Sequence, residues 1–143
     1  MIRALRSFIK IPWKEKMTVI EVVVLLFYGR MLLLLPYRYM KRHFGNYSVK
    51  SGHDENISIR ELKRISQYIR RIGDRLPWKC TCLVDAIAAK IMLKRRNIPA
   101  TIYFGMAKDN DNKIAAHAWV KCGDYYVTGE HTEFEFKPVG HFT

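Results

Sequence analysis

The chain has 143 residues, 49% of them apolar, with 7 Phe, 3 Trp and 8 Tyr. That length and composition fit one domain with one packed core and exclude a disordered chain. The formal net charge is +12 and is lopsided: residues 1–72 carry 15 Lys/Arg against 5 Asp/Glu, and residues 73–143 carry 10 against 8. The amino-terminal half is therefore expected to face something anionic, an acidic peptide or protein or a membrane surface. No nucleic-acid recognition motif accompanies the charge, and no nucleic-acid partner is expected. Three cysteines, two of them crowded at Cys80 and Cys82, do not make a disulfide framework and point to a reducing compartment, the cytoplasm.

Residues 3–10 are predicted to form a short basic helix or arm that stops near Pro12. Arg3, Arg6, Lys10, Lys14 and Lys16 imitate the start of a signal peptide, but no small-residue cleavage site follows. Residues 17–35 predict a long helix, apolar on most sides and hence buried. Glu21 and Arg30 interrupt it, which makes a true span, wanting roughly 20 nearly uninterrupted apolar residues, the least favoured reading. A helix lying on the membrane surface is the second reading. Pro36 ends the helix, Tyr37 to Phe44 form a basic-aromatic turn closed by Gly45-Asn46, and residues 46–56 are a polar loop.

A helix over Ser58–Ile72 shows Ile59, Leu62, Ile65, Ile69 and Ile72 on one face. Ser58 with Glu61 has the capping-box pattern, and Gly73 ends the helix. Leu76-Pro77-Trp78 is extended. Cys82 to Asn97 predicts a buried helix with a basic last turn, terminated by Asn97 in a left-handed conformation and by Pro99. The apolar period then becomes two. Strands are predicted at Thr101–Met106, Ala115–Cys122 and Tyr125–Glu130, with turns at 109–112 and at Gly123-Asp124. Phe134–Val139 is a fourth strand or a tail. Helices first and an antiparallel meander last make the fold class α+β.

The chemistry gathers at two places, Trp78-Lys79-Cys80-Thr81-Cys82-Leu83 and Ala116-His117-Ala118-Trp119. At a helix start, unpaired amides and the helix dipole favour a negative sulfur and can receive an oxyanion. Cys82 is thus the candidate nucleophile and His117, on a following strand, the candidate base. Cys80 precedes the helix and is expected to be a bystander. Trp78 and Trp119 are the candidate substrate-binding residues, Trp119 as a wall against water. The histidine needs a partner for its second nitrogen. If Gly123-Asp124 are the two turn residues, Cys122 faces Tyr125, Trp119 faces Thr128 and His117 faces Glu130. Glu130 is the candidate partner and Thr128 the uncharged option. Zinc held by Cys80, Cys82, His117, Cys122 and His131 is disfavoured, because Cys-x-Cys is an unusual spacing with no second close ligand pair. No metal or cofactor is expected.

Cys82-Leu83-Val84-Asp85-Ala86-Ile87-Ala88, Lys94-Arg95-Arg96-Asn97-Ile98-Pro99-Ala100, Tyr103-Phe104-Gly105-Met106, Ala116-His117-Ala118-Trp119-Val120 and Val127-Thr128-Gly129 together resemble the transglutaminase-like cysteine peptidases of lasso-peptide biosynthesis. Val24-Leu25-Leu26 through Leu34-Leu35-Pro36-Tyr37-Arg38 looks like their first helix. The resemblance covers nearly the whole chain, most specifically residues 76–136. It implies a transglutaminase-like, papain-like peptidase fold over 1–143, with 1–56 a basic helical subregion and 57–143 the catalytic core. It also implies the activity: removal of the leader from a ribosomally made precursor, before an ATP-dependent cyclase joins the new amino terminus to an acidic side chain. A Thr at the leader's penultimate position is implied as well.

By that resemblance Cys82 is the nucleophile and His117 the general base. The family's third member is usually an Asp shortly after the His-Ala-Trp strand; here that neighbourhood is Thr128-Gly129-Glu130. Some relatives carry a winged-helix leader-recognition domain in front. This chain has no room for one before its first helix, which implies a separate leader-binding protein, with the cyclase and peripheral membrane contact as further partners. Two rival readings remain at this point: a non-catalytic scaffold for precursor or cyclase, and a transglutaminase-like amide transferase.

Overall fold

The computed structural model describes residues 12–44, 57–108, 110–129 and 136–142. The expected basic arm at 3–10, the Gly45-Asn46 closure, the loop at 46–56 and the acid Glu130 lie outside the described residues.

Helix α1 spans Trp13–Leu32. The Pro12 carbonyl starts it by accepting the amides of Glu15 and Lys16 at 2.9 and 3.1 Å. Val22, Leu25, Leu26, Gly29 and Leu32 form its buried face. Burial on most sides, expected from composition, is not what forms. Trp13, Ile20, Val24 and Phe27 are exposed, because α1 packs through one side only. After Pro36, α2 covers Tyr37–Phe44. Phe44 is buried and stands edge-on to Phe104, ring centroids 5.0 Å apart.

Helix α3, Ile59–Gly73, buries Leu62, Ile65 and Ile69 of the five residues its apolar spacing predicts, whereas Ile59 in its first turn is exposed and Ile72 half-buried. The capping box does not form, for the Ser58 side chain makes no cap hydrogen bond. Glu61, its expected reciprocal partner, instead reaches Arg96 Nε at 3.3 Å. An ion pair to a guanidinium outcompetes a single bond back to a backbone amide.

Helix α4, Cys82–Arg95, is the centre of the molecule, and α1, α3 and the sheet all pack on it. Its small residues Ala86, Ala88 and Ala89 are fully buried and let those layers approach closely. Asn97 takes a left-handed φ of 55°, and the Ile98 amide closes the helix on the Leu93 carbonyl at 2.9 Å. Arg96 then clasps three helices. It meets Glu21 of α1 through two bonds of 2.7 and 3.2 Å, besides Glu61 of α3.

The strands are β1 Thr101–Lys108, β2 Ile114–Cys122, β3 Tyr125–Thr128 and β4 Lys137–Phe142. They form one antiparallel sheet in the order β3-β2-β1-β4. The meander is therefore corrected: β4 does not follow β3 but crosses to the far edge of β1. Ile102, Ala118, Val120 and Val127 belong to the core beneath α4. The molecule is thus α+β, helices on one face of a small sheet.

Candidate active site

Cys82 is the first residue of α4 and Thr81 its N-cap. The Thr81 hydroxyl accepts the Val84 amide at 3.5 Å. The cap leaves the Cys82 and Leu83 amides without an intrahelical acceptor, as at any helix start. Both side chains are half-buried and pack against the core. The sulfur therefore leaves the helix at its first turn, beside the backbone amides that the helix does not use.

Cys80, two residues earlier, has a different setting. Burial, and then the nearby Asp85 carboxylate, push its thiol above the usual cysteine range. That keeps Cys80 protonated and suits a bystander.

His117 stands on β2 opposite Gly105 of β1. Strand alternation puts it and Trp119 on the other face from the buried Ala118 and Val120. On that face a file of rings crosses the sheet. His117 stacks on Trp119 at 5.9 Å, Trp119 on Tyr103 at 5.7 Å, and Tyr103 on His141 at 5.7 Å. Phe136 leans on the imidazole at 5.0 Å. Gly105 makes the file possible, since a Cβ there would come within 2.6 Å of the Trp119 ring. Trp119, a candidate substrate contact, is thus a buried wall of the histidine.

The His117 Nε2 nitrogen meets the Gly129 carbonyl at 3.4 Å. A carbonyl oxygen only accepts, so Nε2 carries the hydrogen and Nδ1 is left as the basic nitrogen. Gly129 has a φ of +81°. Among the described residues no hydrogen bond joins the His117 ring to the Cys82 thiol.

The predicted register of β3 is corrected. Cys122 does face Tyr125, but an irregularity between Val120 and Lys121 puts Thr128 opposite Val120 rather than Trp119. One extra residue in a strand shifts everything beyond it. The pairing that set Glu130 against His117 therefore loses its basis, and the described group that meets the second histidine nitrogen is the Gly129 carbonyl.

Gly129 also borders a cavity of about 330 Å³ between α3, the head of α4 and the end of β3, lined by Arg70, Asp74, Cys80, Asp85 and Thr128 among others. Asp85 was part of the sequence motif but had no assigned role. Burial, then Asp74, raise its carboxyl to about 7. Its Oδ1 and the Thr128 Oγ1 are buried with no hydrogen-bond partner. An acidic residue in the first turn of a buried helix was the only sequence signal for it.

Trp78 lies half-buried in the segment entering α4, its ring edge-on to Phe27 at 5.7 Å. Its Nε1 is buried and also lacks a partner. Cys122 donates to the Pro99 carbonyl at 3.1 Å. Among the described residues no three His, Cys, Asp or Glu side chains are placed to hold a metal ion.

A cysteine at the head of a buried helix, followed by an antiparallel sheet with a histidine on its second strand, is a transglutaminase-like arrangement. The chain belongs to the transglutaminase-like superfamily, whose core model matches residues 25–140. Members of that superfamily are generally cysteine-dependent enzymes. No curated protein and no solved structure matches the chain.

Proposed function

We propose that the protein is a cysteine peptidase that removes the leader from a ribosomally made lasso-peptide precursor in the cytoplasm. It acts with a separate leader-binding protein and ahead of an ATP-dependent cyclase. The observation that carries the reading is the position of Cys82, first residue of a capped, buried helix in a transglutaminase-like domain.

This mechanism requires the His117 ring to come within reach of Cys82 when substrate is bound: Nδ1 then takes the Cys82 proton, and the sulfur attacks the carbonyl of the leader's last residue. The C=O bond opens to an oxyanion, received by the free amides at the head of α4. The oxyanion collapses, the C–N bond breaks, and the imidazolium gives its proton to the leaving amine. That amine is the new amino terminus of the core peptide. Water, deprotonated by the same imidazole, then releases the leader from its thioester as a carboxylate. The Gly129 carbonyl holds the Nε2 hydrogen and so keeps the ring in the needed tautomer. Glu130, next in the chain, is proposed to steady the imidazolium.

The test is incubation of the chain with precursor and leader-binding protein, read by mass spectrometry. The expected products are the free leader, with one water added, and the core peptide. Cys82→Ala should abolish them while precursor binding persists. Cleavage by Cys82→Ala at the native rate refutes the reading. A product carrying an added amine instead of water assigns the site to amide transfer.

A further inference from the structure

The largest feature that this chemistry leaves unused is the outer face of α1. Trp13, Met17, Ile20, Val24, Phe27, Tyr28 and Met31 all lie exposed on it. At 3.6 residues per turn they fall within an arc of roughly 100°, and at 1.5 Å per residue the stripe runs about 27 Å. Val24, at its middle, is 57% exposed, and the stripe continues beyond the helix into Leu34, 74% exposed, and Leu35. An apolar patch this long on a polar surface marks an interaction site.

The surrounding charges say what kind. No acid lies on the stripe. Lys14 is exposed at one end of it, and Arg38, Lys41 and Arg42 are exposed on α2 beyond the other. Of the acids on α1, Glu21 is held by Arg95 and Arg96 on the inner side. Aromatic rings with polar edges sit towards the ends, as Trp13 before and Tyr37 and Tyr39 after. Apolar stripe, cationic margins and terminal Trp/Tyr rings are the pattern of a helix lying in a bilayer interface.

A second copy of the chain fits less well. Stripe-to-stripe pairing in the antiparallel sense brings Lys14 of one copy to the Arg38–Arg42 cluster of the other. A span is not the answer either. The opposite face of α1 is packed on α4 and α3, and no helix among the described residues is long and apolar enough to cross a membrane.

We infer that the outer face of α1, continued by the Leu34–Arg42 corner, is a docking surface for an anionic lipid bilayer. Docking lays the helix flat, with its apolar side chains among the upper acyl segments just below the headgroups and its cations at the phosphates. The inference is independent of the chemistry at Cys82.

The test is flotation of the full chain with phosphatidylglycerol–phosphatidylcholine vesicles and with pure phosphatidylcholine vesicles. Binding is expected to the first, falling with added salt, and to be about tenfold or more weaker on the second. The double variant Val24→Glu/Met31→Glu changes only exposed positions, and should keep the native circular dichroism and melting temperature while losing vesicle binding about tenfold or more. Lys41→Glu/Arg42→Glu should lose the preference for anionic lipid. Three results overturn the inference: no flotation with anionic vesicles, equal binding to neutral ones, or native binding by Val24→Glu/Met31→Glu. A solution dimer that Val24→Glu/Met31→Glu dissociates, without vesicle binding by the native chain, gives the face to a second copy instead.

Discussion

The imidazole of His117 is tethered to the backbone of Gly129, its Nε2 lying 3.4 Å from that residue's carbonyl oxygen. The tether depends on glycine. A Cβ at Gly129 would fall 2.5 Å from Trp119 Cβ and 2.9 Å from His117 Nε2, at a φ of +81°. Gly129→Ala therefore strains the backbone by about 1–2 kcal/mol and pushes the ring aside. Leader cleavage is expected to fall about a hundredfold in kcat, with KM little changed. Steady-state kinetics alongside a thermal melt checks this; native kcat in a folded Gly129→Ala protein contradicts the tether.

The two crowded cysteines should separate in reactivity. Cys82→Ala is expected to lower kcat by about three orders of magnitude or more, and Cys80→Ala by less than about threefold. Peptide mapping after brief alkylation at neutral pH offers a measure free of substrate. Burial and Asp85 hold the Cys80 thiol up, so Cys82 should be modified first. Faster labelling of Cys80 would reverse the assignment.

Asp85 makes stability depend on pH in a definite direction. Its carboxyl titrates at about 7 in the folded chain, against an ordinary value of 3.8. Between those values the folded state holds a proton that the unfolded state has lost. Stability therefore falls as pH rises from about 4 to about 7, and levels off above. Asp85→Asn should flatten this slope and raise stability at pH 8 by about 2 kcal/mol, the cavity's access to water allowed for. Urea denaturation across that pH range measures both; an unchanged slope in Asp85→Asn removes Asp85 as the source.

Arg96 holds α1 and α3 to the end of α4 through Glu21 and Glu61. Its loss leaves the Glu21 carboxylate, mostly buried, without its two-bond partner. Arg96→Ala is expected to cost about 2–3 kcal/mol, and Arg96→Lys to recover less than half, because an ammonium cannot form the fork. Chemical denaturation reads the difference, and a cost under about 0.5 kcal/mol would show the clasp to be ornamental.

What the sequence disclosed, and what it hid, follows from how local each signal is. Asn97 stops its helix where its residue type and Pro99 predict, since left-handed backbone is decided by the residue itself. The buried face of α3 and the first three strands likewise follow from period alone. Three features depend on distant partners and were not legible. Glu61 deserts Ser58 for Arg96, which is far along the chain. The irregularity at Val120 and Lys121 carries no Gly or Pro to announce it, yet it moves Thr128 one residue along its neighbour. Apolar composition alone predicts burial for α1, but composition does not tell which sides have anything to pack against. At the site, Cys82 and His117 stood out because a thiol at a helix head and an imidazole on a strand have recognisable chemistry. Asp85 did not, for an acid in a first helical turn is ordinary until the cavity around it is seen.

The contact between Phe27 and Trp78, centroids 5.7 Å apart, joins two parts of the molecule that the sequence keeps separate. Phe27 belongs to the outer stripe of α1, and Trp78 lies four residues before the reactive sulfur. Whatever settles on that stripe presses, one ring away, on the strap that delivers the thiol. If both proposals hold, the face that docks and the segment that carries Cys82 share a mechanical joint, and load on one is felt by the other.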